Sequence, residues 1–303
     1  MRNTAKKNWI EQNIGYMNAV IFNRKHGTDA IVISGIPGSG KSNFVRGFNL
    51  QCLKRGEAII MATGVFCEWK HFLTHPKYEI PTILILPDDE DFEYVRFNPK
   101  PKIVKLNYET ELIDYITNLL KENNDSKIGF ILAIYDDHFD MNKKIELWYY
   151  LSLKLINRPF FIDKPISIVF DEAGIYFYEY ARGKQWRWID KFSQIFVNAR
   201  KSYIRYIFIT QTITDIRHTI RRKAGWFFMK QGFATDNMPE FTIVSTPALP
   251  VNQYNVCYLY YYKCNNIIKK FHENDIEYRL IPLTSEDNQI FFKTKPKKIY
   301  PER

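Results

Sequence analysis

The sequence predicts an α/β fold with a mostly parallel central sheet flanked by helices. Two observations support this prediction: continuous apolar runs of strand length recur along the chain, and stretches with helical spacing of apolar residues separate them. The first unit is the clearest, because the apolar run at 30–34 leads through a glycine-rich turn into a predicted helix at 41–54. Strands that alternate with helices in this way are typical of parallel sheets.

The other elements are predicted from the same two patterns. Apolar runs predict strands at 30–34, 57–61, 82–86, 103–106, 128–135, 166–170 and 206–210. Helices are predicted at 8–22, 41–54, 109–122, 143–157 and 186–202. The acidic, proline-flanked segment from Pro87 to Pro101 is predicted to be a loop.

The chain changes character near residue 240, where short β-like runs rich in tyrosine and asparagine begin. We expect residues 1–240 to form the core, with an N-terminal helix and an insertion at about 61–160, and residues 241–303 to form a β-rich extension with a basic tail. The run Tyr258–Tyr262 suits a strand with one face in the core, although its rings could also stack on single-stranded bases. The tail Lys293–Arg303 is predicted to be extended or disordered.

Composition excludes several classes of protein. The four cysteines are scattered, with no C-x-x-C pair and no histidine at zinc-finger spacing, which argues against disulfides and structural zinc. No apolar run approaches the length of a membrane span, and the basic N-terminus lacks the apolar segment of a signal peptide. We therefore expect a cytoplasmic protein without a membrane span of its own. The formal net charge of +10 has two explanations: it keeps the protein soluble, or it serves to bind a polyanionic partner.

Residues 35–42, Gly-Ile-Pro-Gly-Ser-Gly-Lys-Ser, match the pattern G-x-x-x-x-G-K-[ST]. The glycines let backbone N–H groups point toward an anion, and the following helix adds the positive end of its dipole. A glycine turn without a ligand would need neither Lys41 nor Ser42. The motif therefore predicts that this loop binds the phosphates of a nucleoside triphosphate, in a RecA-like P-loop NTPase fold.

The residues of this loop have distinct expected roles. Lys41 would reach the β- and γ-phosphates, and the hydroxyl of Ser42 would bind Mg²⁺. The rest of the loop is expected to line the phosphates through five residues: Gly35, Pro37, Gly38, Ser39 and Gly40.

A second motif is the apolar strand Ile166–Phe170, which ends in Asp171 and Glu172. In a P-loop enzyme the acid at this strand end holds Mg²⁺ through water, a role that falls to Asp171. Glu172 is then placed to polarise the attacking water as a general base. The two acids could instead only mark the start of a helix. Small nucleotide kinases usually lack such a glutamate, so the pair favours hydrolysis coupled to mechanical work.

A third strand, predicted at 206–210, ends in Gln211. Its amide could lie beside the strand that carries Asp171 and sense the γ-phosphate or the attacking water. Alternatively, Gln211 is a surface residue without such a role. The segment from Ile213 to Lys223 that follows is rich in basic residues. It could form a solvated helix face, a face that contacts DNA, or the source of an arginine finger, a role that suits arginine better than lysine.

The order of these motifs resembles that of the FtsK/HerA superfamily of DNA-pumping ATPases. The segments that carry the resemblance are GIPGSGKS, IVFDEA and NARKSYIRYIFITQTITDIRHTIRR. The same signature resembles the zonula occludens toxin-like assembly ATPases of filamentous phages and the genome-packaging ATPases of membrane-containing viruses. The resemblance covers residues 30–60 and 165–230, whereas 61–160 and 241–303 carry none of it.

The resemblance implies ATP and Mg²⁺ as cofactors and a homo-oligomeric ring, a hexamer, around DNA. It assigns catalysis to Lys41, Glu172, Gln211 and Arg200, and the metal to Ser42 and Asp171. Arg200 is the leading candidate for an arginine finger that acts in trans, with Arg217 and Arg221 behind it.

The chain also departs from these families. DNA translocases usually continue Gln-Arg-Pro where this chain has Gln211-Thr212, and toxin-like proteins usually carry a membrane span. The chain is shorter than cellular translocases and carries no recognisable winged-helix module. These departures favour a small ATPase of a virus or mobile element, which would act in the host cytoplasm or in the virion.

Two functions therefore stay open. The first is an ATPase ring that moves DNA into a capsid through salt-sensitive, sequence-independent contacts, docked on a capsid or membrane-associated protein. The second is a toxin-like virion-assembly or secretion ATPase that acts on protein rather than DNA. A small-molecule kinase is disfavoured by Glu172 and by the lack of a lid motif.

Overall fold

The computed structural model describes residues 30–37, 39, 41–63, 81–89, 92–94, 102–229, 256–261, 266–272 and 292–294. Its strands are β1 (Ile31–Ser34), β2 (Ala58–Thr63), β3 (Thr82–Pro87), β4 (Phe92–Tyr94), β5 (Lys102–Leu106), β6 (Ile131–Tyr135), β7 (Ile166–Phe170), β8 (Ile204–Thr210), β9 (Trp226–Met229), β10 (Val256–Tyr261), β11 (Asn266–His272) and β12 (Phe292–Thr294). The helices are α1 (Lys41–Lys54), α2 (Leu112–Glu122), α3 (Met141–Ile156), α4 (Ala173–Tyr176), α5 (Gly183–Ala199) and α6 (His218–Arg221), and two 3₁₀ turns cover Arg200–Ser202 and Ile213–Asp215.

The main sheet has ten strands in the order β11-β10-β9-β1-β8-β7-β2-β6-β3-β5. All strands from β9 to β5 are parallel, whereas β10 and β11 add an antiparallel hairpin beside β9. Parallel strands end at the same edge of a sheet, so the residues after β1, β7 and β8 meet at this carboxyl edge. The predicted α/β fold with a mostly parallel, RecA-like sheet is confirmed.

The central strands are buried along their whole length. Every residue of β1, β2, β6, β7 and β8 is buried, in mostly apolar runs rich in isoleucine. Such runs are expected of parallel strands covered by helices on both faces. The edge strand β5 instead exposes Lys102 and Lys105, and lysine on an edge strand discourages pairing with another chain.

The helices pack through one apolar face each. In α2 the buried residues Leu112, Ile116 and Leu120 recur at every fourth position, which places them on the face toward the core. Helix α3 begins after Asp140, whose carboxylate accepts the backbone N–H groups of Asn142 and Lys143. Both helices therefore form where the sequence predicts them. No helix within the described ranges is both long and apolar enough to cross a bilayer.

All seven predicted strands and the predicted helices after residue 40 are present, with ends shifted by a few residues. The predicted helix at 8–22 lies outside the described residues. The segment from Pro87 to Pro101 was predicted as loop, but it contains β4, which pairs with β12 near the C-terminus. Strand β9 was also not predicted. These short strands form because of partners far away in sequence, which local composition does not report.

The predicted domain division can be compared with the sheet. Residues 61–160, predicted as an insertion, supply β3, β5 and β6 of the main sheet. Strand β10, in the expected extension, pairs with β9 in the expected core, and β10 covers most of the run Tyr258–Tyr262 that was predicted as a strand. The boundary near residue 240 stays a prediction.

Candidate active site

The three sequence motifs meet at the carboxyl edge of the main sheet. Strand β8 lies between β1, which leads into the P-loop, and β7, which is followed by Asp171 and Glu172. The register aligns Ser34 at the end of β1 with Thr210 at the end of β8, and the Ser34 hydroxyl donates to Gln211 O over 3.3 Å. Because neighbouring strands are about 4.8 Å apart, the ends of β1 and β7 are separated by about 10 Å. The phosphates of a nucleotide can therefore lie above the end of β8, between the P-loop and the acidic pair.

Lys41 and Ser39 shape the P-loop. Lys41 Nζ donates to Gly35 O over 2.8 Å and to Ile36 O over 3.1 Å, so its ammonium group lies against the loop. The Ser39 N–H donates to Ile36 O over 3.2 Å. The Ser39 hydroxyl is buried and has no hydrogen-bond partner among the described residues. An unpaired buried hydroxyl just before a helix N-terminus fits a site for an anionic ligand.

The structure describes only some of the remaining P-loop residues. Gly35 is buried and Pro37 is exposed. Gly38 and Gly40 lie outside the described residues, so their contact with phosphate stays a prediction.

Glu172 and Gln211 form the central contact of the site. Gln211 Nε2 donates to Glu172 Oε1 over 3.0 Å, and both side chains are exposed. Glu172 has a left-handed backbone with φ of 51°, which is costly for a residue with a side chain by about 1 kcal/mol or more. This conformation turns the chain directly after β7 and brings the Glu172 carboxylate to Gln211. Gln211 thus lies beside the end of the acidic strand, and its role toward the γ-phosphate or the attacking water stays a prediction.

Ser42 and Asp171 are the candidate oxygen donors for Mg²⁺. Ser42 is half-buried in the first turn of α1, and Asp171 is half-buried directly after β7. Asp171 Oδ1 also accepts the N–H of Glu172 over 3.1 Å. In the described part of the chain, no three His, Cys, Asp or Glu side chains come together as a metal cage. Mg²⁺ at nucleotide sites is usually held by one or two protein groups, water and phosphates, and Ser42 and Asp171 fit that mode.

The turn that carries Glu172 packs tightly on the segment after Gln211. A Cβ atom on Gly174 would lie 2.9 Å from the Cβ of Asp215, so a larger residue at 174 would force the two segments apart. Burial, and after it the negative charge of Glu172, raises the pKa of Asp215. The turns after β7 and β8 are therefore in direct contact behind the Glu172–Gln211 pair.

A buried carboxylate supports the same turn from the side of β6. Asp136 directly follows β6 and accepts hydrogen bonds from Trp148 Nε1 over 2.8 Å and from the Tyr176 hydroxyl over 3.0 Å. Lys144 Nζ lies 3.7 Å from Asp136 Oδ1. Tyr176 ends helix α4, which begins directly after Glu172. Asp136 therefore holds the far end of the helix that positions Glu172.

The ionisation of Asp136 should make stability depend on pH. Burial raises the pKa of Asp136 from 3.8 to about 6, partly opposed by the charge of Lys144 and the hydrogen bonds from Trp148 and Tyr176. Because the folded-state pKa lies above the unfolded one, the folded chain binds this proton more tightly. The resulting stabilisation is complete below about pH 4 and is lost as the pH rises through about 6.

We expect the Asp136→Asn variant to lack this loss. Its free energy of unfolding relative to the wild type should rise by about 2 kcal/mol between about pH 4 and about pH 7, measured by urea denaturation. Asp137→Asn, which neutralises the more exposed neighbouring carboxyl, is the matched control and should show no such rise. Parallel pH profiles for the wild type and Asp136→Asn would contradict the role of Asp136.

Arg200 is not close to the P-loop of its own chain. It begins the 3₁₀ turn before β8, at the amino edge of the sheet. The length of β8, at about 3.3 Å per residue, separates it from Gln211 by roughly 20 Å. Arg200 could therefore act on a phosphate only across a subunit boundary, and its role as a finger stays a prediction.

The two other arginine candidates are bound within their own chain. Arg217 Nη1 donates to Glu179 O over 2.8 Å, and the buried Arg221 has its Nη2 3.7 Å from Glu179 Oε2. These contacts fasten the segment after β8 to the segment after α4. Among the three arginines, Arg200 therefore stays the leading candidate for a finger.

Sequence reasoning missed three residues that build the site: Ser34, Gly174 and Asp136. Asp136 carries a usable signal, because it directly follows an apolar strand in the same way as Asp171. Ser34 and Gly174 carry none, since their importance appears only when the turns after β7 and β8 come together.

The fold and the site together define an α/β protein of the P-loop NTPase class. No protein-family model and no curated protein sequence matches the chain. Several solved structures do. The genome-packaging NTPase of Sulfolobus turreted icosahedral virus 2, in complex with AMP, is 14% identical over 82% of this chain and 98% of its own, with a TM-score of 0.48.

Two further solved structures match a similar share of the chain. A bacterial conjugative coupling protein is 10% identical over 77% of this chain and 82% of its own, with a TM-score of 0.45. The N-terminal domain of zonular occludens toxin from Neisseria meningitidis is 12% identical over the same shares, with a TM-score of 0.32.

Proposed function

We propose that the chain is an Mg²⁺-dependent ATPase that moves DNA as part of a homo-oligomeric ring, with Arg200 as a finger toward the nucleotide of a neighbouring subunit. The observation that carries the proposal is the 3.0 Å hydrogen bond from Gln211 Nε2 to Glu172 Oε1 beside the P-loop strand. It pairs the Glu172 carboxylate, which is suited to accept a proton from water, with the Gln211 amide, which can orient the carboxylate and the water. This pairing favours hydrolysis over transfer of phosphate to a second substrate.

In the proposed reaction a water molecule attacks the γ-phosphorus of ATP. Glu172 accepts a proton from this water as the new O–P bond forms, and Gln211 holds the Glu172 carboxylate in place. The bond from the γ-phosphorus to the bridging oxygen breaks, and its electron pair leaves with ADP. Lys41 stabilises the negative charge that builds up on the β- and γ-phosphate oxygens. Mg²⁺, when bound, would neutralise further charge on the same phosphates.

The charge of the chain and the sequence resemblance support DNA as the substrate that is moved. The net charge of +10 suits a polyanion, and the families that the motifs resemble pump DNA. A motor must tolerate every sequence that it passes, so we expect contacts to the phosphate backbone and no reading of bases. A six-membered ring, a capsid or membrane-associated docking protein, and action in the host cytoplasm or virion complete the proposal.

We expect long double-stranded DNA to stimulate ATP hydrolysis by the purified chain several-fold. Because backbone contacts release counterions, the stimulation should fade between about 50 mM and about 200 mM salt. Steady-state phosphate release with and without DNA measures it, and hydrolysis without DNA at each salt concentration is the control. Hydrolysis that is indifferent to DNA at low salt would contradict DNA translocation and favour an ATPase that acts on protein.

A further inference from the structure

A surface rich in aromatic and basic side chains lies directly beyond the candidate active site. Tyr180 is 72% exposed, Tyr178 is 43% exposed and Trp186 is 42% exposed. Exposed apolar side chains that lie together mark interaction sites on soluble proteins. Three exposed cations lie in the same short stretch of chain, so we call the whole set the 178–187 surface: Tyr178, Tyr180, Arg182, Lys184, Trp186 and Arg187.

The three cations give this surface a positive charge, and Glu179, the one acid among residues 178–187, is bound by other residues. Glu179 Oε2 accepts the His218 N–H over 2.6 Å, and the Glu179 carboxylate also contacts His218 Nδ1 and the Arg221 guanidinium. Among the described residues, no carboxylate pairs with the side chains of Arg182, Lys184 or Arg187. Helix α5 also begins within this stretch, so the positive end of its dipole adds to the charge.

The rings are held in place rather than left loose. The rings of Tyr178 and Tyr180 contact each other edge to face, with centroids 5.6 Å apart. The Arg217 guanidinium lies 5.8 Å from the centroid of the Trp186 ring. Preformed rings beside unpaired cations are the arrangement that proteins use to bind a nucleic-acid strand, with stacking on bases and pairing with phosphates.

The same surface is connected to the nucleotide site by two routes. One route runs from Glu172 through the short helix α4 to Tyr178, and the other runs from Gln211 to Arg217. The two segments are joined by backbone hydrogen bonds, from the Arg217 N–H to Phe177 O over 2.7 Å and from the Glu179 N–H to Asp215 O over 2.9 Å. A movement of the Glu172–Gln211 pair would therefore move the 178–187 surface.

We propose that the 178–187 surface is the DNA contact of this motor, a proposal that rests on the function proposed above. Arg182, Lys184 and Arg187 pair with the phosphates of one strand, and Tyr180 and Trp186 stack on its bases where that strand is unpaired. The site is placed where hydrolysis at Glu172 can shift the bound strand.

The test is the equilibrium binding of a fluorescein-labelled single-stranded DNA, measured by fluorescence anisotropy over a range of salt concentrations. The variant Arg182→Ser/Lys184→Ser/Arg187→Ser should bind at least about 10-fold more weakly, with a salt dependence reduced by about two in log–log slope. Tyr180→Ala/Trp186→Ala should lose about 10-fold in affinity through lost stacking. Circular dichroism and thermal unfolding check that each variant is folded.

A matched control removes the same charge elsewhere. Lys102→Ser/Lys121→Ser/Lys127→Ser removes three exposed lysines from β5, from α2 and from the loop after α2, and it should bind DNA as the wild type does. Wild-type affinity and salt slope in Arg182→Ser/Lys184→Ser/Arg187→Ser would overturn the proposal. Wild-type affinity in Tyr180→Ala/Trp186→Ala alone would overturn the stacking of these rings on bases. If the wild type itself neither binds DNA nor is stimulated by it, the proposed function fails first.

Discussion

Replacing Glu172 by glutamine should separate ATP binding from ATP hydrolysis. A Glu172→Gln side chain has the same shape and can still accept the hydrogen bond from Gln211 Nε2, but it cannot take a proton from water. We expect kcat to fall at least about 100-fold, which is the usual contribution of a general base. Affinity for ATP should stay close to that of the wild type, because Lys41 and the P-loop are unchanged.

Steady-state phosphate release and equilibrium binding of a fluorescent ATP analogue measure the two effects. Glu122→Gln is the matched control, because it makes the same chemical change at an exposed position at the end of α2. It should hydrolyse ATP at the wild-type rate. A Glu172→Gln variant that keeps more than about a tenth of the wild-type kcat would show that Glu172 is not the base.

Replacing Lys41 by alanine should remove both binding and hydrolysis. The Lys41 ammonium lies against the P-loop through its bonds to Gly35 O and Ile36 O, so it is in position to meet the phosphates. Removing a charged hydrogen-bond donor costs about 1.5–3 kcal/mol, which corresponds to about 10- to 100-fold in affinity. The loss of charge stabilisation in the transition state should lower hydrolysis by about 100-fold or more.

The matched control is Lys54→Ala, which removes an exposed lysine from the last position of the same helix, α1. Alanine favours helix at both positions, so neither change should unfold α1. Isothermal titration with ATP and Mg²⁺ gives the affinity of each variant. Wild-type ATP affinity in Lys41→Ala, together with wild-type turnover, would mean that residues 35–42 are a structural turn only.

Much of this site could be predicted from the sequence because its parts are local. The P-loop, Asp171 and Gln211 each follow a continuous apolar run, and a parallel sheet brings such strand ends to one edge. This rule places Gln211 at the same edge as Glu172, and the pairing of β8 with β7 brings the two together. The sequence could not give the left-handed backbone of Glu172, since nothing in the residue type announces it.

Other features depend on contacts between distant segments. Strand β9 forms against β1, and β4 forms against β12, and neither pairing is visible in local composition. Asp136 owes its raised pKa to burial against Trp148 and Tyr176, which only the folded chain brings together. The position of Arg200 at the amino edge shows the limit most clearly, because a role in trans depends on a second subunit.

We propose that Glu172, aligned by Gln211 beside the P-loop, drives hydrolysis of bound ATP. The decisive measurement is single-turnover cleavage of ATP labelled in its γ-phosphate, with protein in excess over nucleotide. We expect the wild type to release labelled phosphate and Glu172→Gln to bind the same ATP yet leave it intact over the same time. Cleavage by Glu172→Gln at the wild-type rate would contradict the claim and place the catalytic base elsewhere.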